Sequence, residues 1–212
     1  MDRTTKTKPA TRIQRQRQEI ILEAALEVFS THGFRGATID QIAEAAGMSK
    51  PNLLYYFPSK EEIHKPLIRR LLVTWLTPLK ELNADGDPIS EIKSYVRRKL
   101  EMARDYPRES RLFANEILQG APRIKDLLAG ELKDLVDAKT KIMEHWMDEG
   151  KLARVNPRHL LFSIWATTQH YADFDVQVRA VLGKDLSGEG RFEDAARYLD
   201  QLFVSGLRPR TH

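Results

Sequence analysis

The sequence of 212 residues contains no cysteine. This absence excludes disulfides, thiolate metal ligands and a cysteine nucleophile. No apolar run reaches the roughly 18 residues that a membrane-spanning helix needs, and no apolar stretch follows the charged N-terminus as it would in a secretory signal. Because 42% of the residues are hydrophobic and 30% are charged, we expect a globular, cytoplasmic protein with a sizeable core and no membrane partner.

The sequence also lacks the short motifs of several enzyme classes. It contains no HExxH, P-loop or GxSxG pattern. His170 and Asp173 have the spacing to share one helix face, but no third metal ligand is evident at a matching spacing. We therefore predict a protein with no catalytic residue, metal or cofactor, and we keep a helical-bundle enzyme as the alternative.

Positive charge is concentrated near the N-terminus. Residues 1–60 carry nine lysines and arginines against six acidic residues, whereas the remaining chain is almost balanced, with 25 against 24. A cationic arm can neutralise DNA phosphates, although a solvated tail has the same composition. We predict a disordered basic arm over residues 1–13.

The rest of the sequence predicts an all-α fold, because no segment alternates apolar and polar residues as a strand does. Gly33 is expected to end the first helix, and Pro66 and Pro78 to bend the fourth helix or end it early. The predicted helices are 14–31, one from Thr38 to Ala46, one between Ser49 and Phe57, one after Ser59, and then 87–105, 107–118, one ending near Gly150, 157–179 and 192–204.

Residues 34–63 contain two short predicted helices joined by a tight turn. The turn is Ala46-Gly47-Met48-Ser49, in which Gly47 supplies a left-handed conformation and Met48 an apolar contact between the two helices. This arrangement predicts a helix-turn-helix whose second helix enters the major groove of DNA.

The same segment resembles the TetR family of one-component transcriptional regulators. The resemblance implies a DNA-binding helix-turn-helix domain of three helices over 14–60, followed over 61–208 by a helical bundle that binds a ligand and forms a homodimer. Such a dimer would bind a palindromic double-stranded DNA operator with half-sites ~34–36 Å apart. The residues that carry the resemblance are Gly33-Phe34, Gly36-Ala37-Thr38, Ile42-Ala43, Ala46-Gly47-Met48-Ser49, Tyr55-Tyr56-Phe57 and Ser59-Lys60-Glu61.

DNA contacts are predicted along the first helix, at the start of the second, along the third and at the start of the fourth. Lys50 could bond to guanine and Asn52 to adenine or a phosphate. Lys60 resembles the phosphate-clamping lysine of the family, whereas Leu54 departs from its usual tyrosine. Thr38 as a helix cap and Tyr56 as a packing residue remain alternatives. The predicted DNA-binding residues are Arg15, Thr38, Ser49, Lys50, Pro51, Asn52, Tyr55, Tyr56 and Lys60.

The last two long helices carry apolar residues at helical spacing. By the resemblance these residues form a four-helix dimer interface, and the alternative is that they fill the core of a monomeric bundle. They are Leu160, Leu161, Ile164, Tyr198, Leu199, Leu202 and Phe203.

Three residues of the segment after Pro157 suggest a site for a small planar ligand. Trp165, Gln169 and Asp173 follow one another at intervals of four and therefore share a helix face. An indole ring can stack on a heterocycle, and an amide can donate and accept hydrogen bonds along a lactam edge such as that of uracil. Alternatively, Trp165 belongs to the core, and the other two lie at the dimer interface or in solvent.

A narrower resemblance concerns the RutR-type regulators of pyrimidine utilisation, over most of residues 15–208. It implies uracil or thymine as the effector, whose binding releases DNA, and it adds Trp75 on a fourth helix that links the DNA reader to the ligand pocket. Pro66 departs from the helix former expected there. A TetR-type regulator for another ligand, such as a drug, a flavonoid or a fatty acid, and a DNA binder without an effector remain alternatives. The predicted ligand-binding residues are Trp75, Phe113, Glu116, Trp165, Gln169 and Asp173.

Overall fold

The computed structural model describes residues 12–183 and 188–209. These residues are helical and form no strand, so the predicted all-α fold is confirmed. Of the predicted basic arm, residues 1–11 lie outside the described residues, and the first helix already begins at Arg12. The helices are α1 (Arg12–Gly36), α2 (Ile39–Ala45), α3 (Lys50–Tyr56), α4 (Lys60–Lys80), α5 (Pro88–Asp105), α6 (Pro107–Leu118), α7 (Lys125–Leu127), α8 (Lys133–Asp148), α9 (Pro157–Asp173), α10 (Asp175–Leu182) and α11 (Gly188–Leu207), with a π-helical turn at Leu128–Leu132 between α7 and α8.

The chain divides into two compact units, Met1–Arg69 and Arg70–His212. The first unit contains α1 to α3 and the beginning of α4, and the second contains the rest of α4 and the helices that follow. Within the described part of the chain, no helix combines the length and the apolar composition needed to cross a membrane.

The core of the first unit is formed by apolar residues from each of its helices. On α1, Ile21, Ala25 and Phe29 recur at helical spacing and are fully buried. Ile42 of α2 and Leu53 of α3 are also fully buried. Because Leu53 is the single buried residue of α3, the other side chains of this helix remain at least partly exposed.

The turns of the first unit follow local signals that the sequence predicts. Gly33 has φ 65° and ψ 172° and interrupts the helical backbone of α1. The Thr38 hydroxyl accepts a hydrogen bond from the Gln41 backbone N–H, and the Gln41 side chain accepts one from the Thr38 N–H, which forms the predicted capping box. Gly47 adopts φ +64°, so the left-handed turn between α2 and α3 is confirmed.

Helix α4 continues to Lys80, so the expectation that Pro66 or Pro78 would end it early is wrong. Each proline removes one intrahelical hydrogen bond, but tertiary packing of a long buried face holds the helix. At its end, Lys139 Nζ donates to the carbonyl oxygens of Lys80 and Leu82 at 2.7 and 2.9 Å. The buried face consists of Ile63, Leu67, Ile68, Leu71, Leu72, Trp75, Leu76 and Leu79.

Helix α5 organises the core of the second unit, where it packs against α6, α9 and α11. Its buried apolar residues recur at helical spacing, which places them on one face of the helix. Trp146 of α8 is also fully buried, and its indole N–H donates to the Ala84 carbonyl at 2.9 Å. The buried stripe of α5 consists of Pro88, Ile92, Tyr95, Val96, Lys99, Leu100, Met102 and Ala103.

The residues predicted for the dimer interface divide into two groups. Tyr198 and Leu202 lie one turn apart on α11, and each is about half exposed. The other five are buried inside the chain, so they fill its core and their assignment to the surface of an interface is wrong. These five are Leu160, Leu161, Ile164, Leu199 and Phe203.

The segment after Pro157 is also shorter than the predicted helix 157–179. Helix α9 ends at Asp173, because Phe174 has φ −116° and ψ 28° and leaves the helical region. Asp175 then begins the separate helix α10. Trp165, Gln169 and Asp173 still share α9, so their predicted common face is retained.

We expect Gly47→Ala to destabilise the protein by ~1–2 kcal/mol, because a Cβ is strained at a left-handed φ. No atom lies within 4 Å of the Cβ position, so the loss does not come from a steric clash. Gly36→Ala in the same unit is the control, since its Cβ would meet His32 Cβ at an ordinary 3.4 Å. Denaturant unfolding measures both variants, and equal stabilities would contradict the turn geometry.

Candidate nucleic-acid interface and effector site

The outward surface of α3 carries the predicted base-reading residues. Lys50, Pro51 and Asn52 are exposed in its first turn, and Tyr55 is 73% exposed one turn later. The helix begins after Ser49, whose hydroxyl accepts a hydrogen bond from the Asn52 backbone N–H at 3.4 Å. This exposed face carries polar groups of the kind that a major-groove reader presents to base edges.

Lys50 forms an exposed ion pair with a residue of α2. Its ammonium lies 2.9 Å from an Asp40 carboxylate oxygen in the first turn of α2. Both side chains are at least half exposed, and such pairs contribute little to stability. A DNA base can therefore replace Asp40 as the partner of Lys50 at small energetic cost to the fold.

Lys60 has two contacts within the first unit. Its Nζ donates to the Ala37 carbonyl oxygen at 2.7 Å and lies 4.5 Å from the centroid of the Phe34 ring. These contacts tie the start of α4 to the residue before the Thr38 cap. An ammonium group has three protons, so the same lysine can also donate to a DNA phosphate.

The remaining predicted DNA contacts have mixed surroundings. Tyr56 is partly buried, and its ring meets that of Tyr55 edge-on at 5.2 Å between centroids, which agrees with a packing role. Thr38 is exposed even though its hydroxyl participates in the capping box. Arg15 is exposed on the first turns of α1.

In the second unit, Trp165 is attached to the core through Tyr95. The indole N–H of Trp165 donates to the Tyr95 hydroxyl at 2.7 Å. Tyr95 is buried on α5, and this burial raises the pKa of its phenol above the ordinary value. Trp165 is itself partly buried and packs against the core cluster, so its indole N–H is already satisfied and the edge and face of the ring remain its means of contacting a ligand.

Trp75 has different surroundings. It is only 6% exposed on α4, and its indole N–H has no hydrogen-bond partner. The ammonium of Lys99 lies 4.8 Å from the centroid of the Trp75 ring. A buried donor without an acceptor is unfavourable, so this N–H is a candidate contact for a ligand.

Lys99 is a functional candidate that the sequence reasoning missed. It is only 3% exposed, and burial alone lowers its pKa from 10.5 to about 7. The available signal was its position in the apolar stripe of α5, four residues after Tyr95 and next to Leu100. A lysine at such a position is rarely buried without a specific partner.

The face of α5 links the two predicted tryptophans. Tyr95 and Lys99 are four residues apart and so lie one turn apart on the same face. Trp165 contacts the first of them and Trp75 contacts the second. The two tryptophans thus contact two polar side chains on one face of α5.

Asp173 and Gln169 occupy the C-terminal half of α9. An Asp173 carboxylate oxygen accepts a hydrogen bond from the buried Ser110 hydroxyl of α6 at 2.6 Å. Burial raises the pKa of Asp173, against the opposing effect of Ser110. Gln169 is partly buried one turn earlier. Asp173 is therefore bound to α6 through Ser110.

Glu116 and Phe113 lie on α6. The buried carboxylate of Glu116 accepts two hydrogen bonds from Arg123, one from its backbone N–H and one from its guanidinium, each at 2.9 Å. This pair closes the turn after α6 and accounts for the burial of Glu116 without a ligand. Phe113 is partly buried one turn before it.

A separate cleft of about 800 Å³ lies elsewhere in the second unit. Its walls include four arginines, two of which are paired with neighbouring aspartates. None of the six predicted ligand residues lines it. Among the described residues, no group of three or more histidine, aspartate or glutamate side chains is arranged to hold a metal ion.

Two family models together match most of the chain. Residues 21–65 match the family described as bacterial regulatory proteins, tetR family. Residues 68–210 match the C-terminal region of YcdC-like proteins. The transcriptional regulator RutR of Escherichia coli K12 is 50% identical over 194 residues, which is 92% of each chain.

Solved structures agree in fold at lower identity. KstR2, a ketosteroid transcriptional regulator of Mycobacterium tuberculosis, has a TM-score of 0.70 at 19% identity and covers 92% of this chain and 96% of its own. AibR, solved with isovaleryl coenzyme A and operator DNA, has a TM-score of 0.66 at 18% identity and covers 88% and 97%.

The lowered pKa of Lys99 predicts a particular pH dependence of stability. Between its folded value of about 7 and its ordinary value of 10.5, the unfolded chain binds more protons than the folded one. The free energy of unfolding should therefore gain up to about 1.4 kcal/mol per pH unit from this group as the pH rises. Lys99→Met should remove that gain.

Lys93→Met is the matched control, because Lys93 lies exposed on the same helix. Urea unfolding at several pH values between roughly 7 and 9 gives the free energy of unfolding of the three proteins, and the slope of this free energy against pH is compared. If the free energy of unfolding of Lys99→Met rises with pH as steeply as that of the wild type, the pKa of Lys99 is not lowered in the folded protein.

Proposed function

Because the chain belongs to the TetR family of bacterial transcriptional regulators, we propose that it binds the operators of genes of pyrimidine and nitrogen metabolism, represses them, and is released from the DNA by uracil or thymine. Regulators of this family bind operator DNA and small molecules and act as dimers, and they are not enzymes. The observation that carries the pyrimidine assignment is the 50% identity to RutR over 92% of both chains. This match extends over the DNA-reading unit and the second unit alike.

Exposed groups of the first unit support DNA reading through α3. Lys50 and Asn52 are the proposed base contacts, and Tyr55, Thr38 and Lys60 the proposed phosphate contacts. Arg15, Ser49, Pro51 and Tyr56 complete the proposed interface. Residues 1–13 are the proposed basic arm.

Homodimerisation supplies a second copy of α3. Tyr198 and Leu202 of α11 and Phe162 of α9 are large apolar side chains that remain about half exposed, which supports an interface on these helices. Two α3 helices ~34–36 Å apart would read the half-sites of a palindromic operator.

The second unit is proposed to hold the effector. Trp165 stacks on the pyrimidine ring, and the Gln169 amide donates to and accepts from a lactam edge. Trp75 contributes from α4, with Phe113 and Asp173 as further candidates. Glu116 is the weakest candidate, because Arg123 already occupies its carboxylate.

Release of DNA follows from a difference in effector affinity between two states. Helix α4 includes both Lys60 and Trp75. An effector that prefers one position of Trp75 therefore biases the helix that also carries Lys60. Only the difference in affinity between the two states drives the release.

Lys50→Ala should weaken operator binding by ~1–3 kcal/mol while it leaves binding to unrelated duplexes nearly unchanged, because a base contact carries sequence information. Fluorescence anisotropy on a duplex selected by the wild-type protein gives both affinities at fixed salt. Lys65→Ala is the control, since Lys65 also holds an exposed ion pair, at 2.8 Å to Glu62. Equal losses in the two variants would argue against base reading by Lys50.

Uracil at ~100 times its dissociation constant should stabilise the folded protein by ~2.7 kcal/mol, and cytosine should not. Gln169→Ala should reduce the uracil-induced rise in melting temperature, because the lactam edge loses its partner. Gln177→Ala on the exposed side of α10 is the control. If the wild-type protein shows no shift with any pyrimidine, the effector is a different small molecule and the pyrimidine proposal is wrong.

A further inference from the structure

Trp75 and Lys99 are two hydrogen-bond donors enclosed in the second unit. They come from different helices, α4 and α5, and both are more than nine-tenths buried. The Lys99 ammonium lies 4.8 Å from the centroid of the Trp75 ring. The indole N–H lies in the plane of that same ring, so the two donors are close neighbours.

The fold provides acceptors for comparable donors but not for this pair. Of the three tryptophans, Trp146 donates to the Ala84 carbonyl and Trp165 to the Tyr95 hydroxyl. Trp75 alone has an N–H without a partner.

A comparison of lysines leads to the same conclusion. The partly buried Lys139 donates to two carbonyl oxygens, those of Lys80 and Leu82. Within the described part of the chain, no hydrogen bond or ion pair engages the Lys99 ammonium, and no carboxylate contributes to its electrostatic surroundings. A ring face compensates a buried cation only in part.

We propose that Lys99 and the indole N–H of Trp75 form the acceptor-reading end of the effector site, which takes a small planar ring carrying oxygen acceptors such as ring carbonyls. This inference rests on the proposed effector function. It is connected to the proposed stacking residue, because Lys99 shares one face of α5 with Tyr95, the partner of Trp165. In this proposal the ring stacks on Trp165 and directs its carbonyl oxygens toward the two donors.

The donor pair accounts for discrimination between closely related rings. A carbonyl oxygen accepts from an ammonium or an indole N–H. An amino group at the same ring position presents donors to donors and leaves all of them unpaired in a buried site. A site built from polar groups rejects such an analogue far more strongly than an apolar pocket does.

The proposal predicts opposite effects of one substitution on stability and on binding. Lys99→Met keeps most of the side-chain volume and removes a buried charge that has no partner. The free variant should therefore melt at a higher temperature than the wild type. Its affinity for uracil should fall about tenfold or more, because a hydrogen bond from a charged donor is lost. A lysine with a purely structural role would not combine these two changes.

Titration calorimetry with uracil, 2-thiouracil and 4-thiouracil tests the acceptor contact directly. Each thio analogue replaces one carbonyl oxygen with sulfur, a weaker acceptor. The wild type should bind at least one of them about tenfold more weakly than uracil, and Lys99→Met should lose that preference. Lys93→Met, exposed on the same helix, should behave as the wild type.

Trp75→Phe provides a second variant that removes the indole N–H and keeps a ring beneath Lys99. It should weaken uracil binding roughly fivefold to tenfold, and it decides the outcome if Lys99→Met does not fold. If both variants bind uracil as tightly as the wild type does, the proposed donor pair is wrong and the proposed function still stands. Failure of the wild type to bind any of the three rings would instead overturn the proposed effector, and the inference with it.

Discussion

Burial of α5 is the constraint on which the second unit depends. Packing against α6, α9 and α11 creates the hydrophobic core, and it also removes water from every polar group on the buried face. Tyr95 meets this constraint by accepting a hydrogen bond from Trp165, whereas Lys99 has only the ring of Trp75 beside it. The core and the candidate effector site are consequently two results of the same packing.

The parts of the fold that could be predicted are those whose partners are close in sequence. Thr38 and Gln41 form a capping box, and Asn156 caps α9 by accepting from backbone N–H groups two and three residues later. The left-handed turn at Gly47 depends only on its own backbone. Because these features need nothing beyond their neighbours along the chain, the helix-turn-helix and its exposed residues could be placed from the amino-acid sequence alone.

Features that depend on distant partners could not be placed in this way. Periodicity identified an apolar face on α9 and α11, but it did not distinguish a core position such as Ile164 from an exposed one such as Tyr198. Long-range packing also holds α4 together through Pro66. Lys99 was missed because charge normally indicates solvent, and only its place in the apolar stripe of α5 signalled burial.

The ion pair between Lys50 and Asp40 has a consequence for how the regulator finds its operator. In the proposed interface, Lys50 leaves Asp40 to bind a base and uncovers a negative charge beside the DNA, and at an unrelated site no matching base compensates for the lost ion pair. The residence time of the protein at each unrelated site would be shorter as a result. Since a genome offers about 10⁶–10⁹ competing sites, brief visits allow the search to sample more of them in a given time. In the proposed interface, one exposed carboxylate would thus favour a fast search over tight binding at unrelated sites.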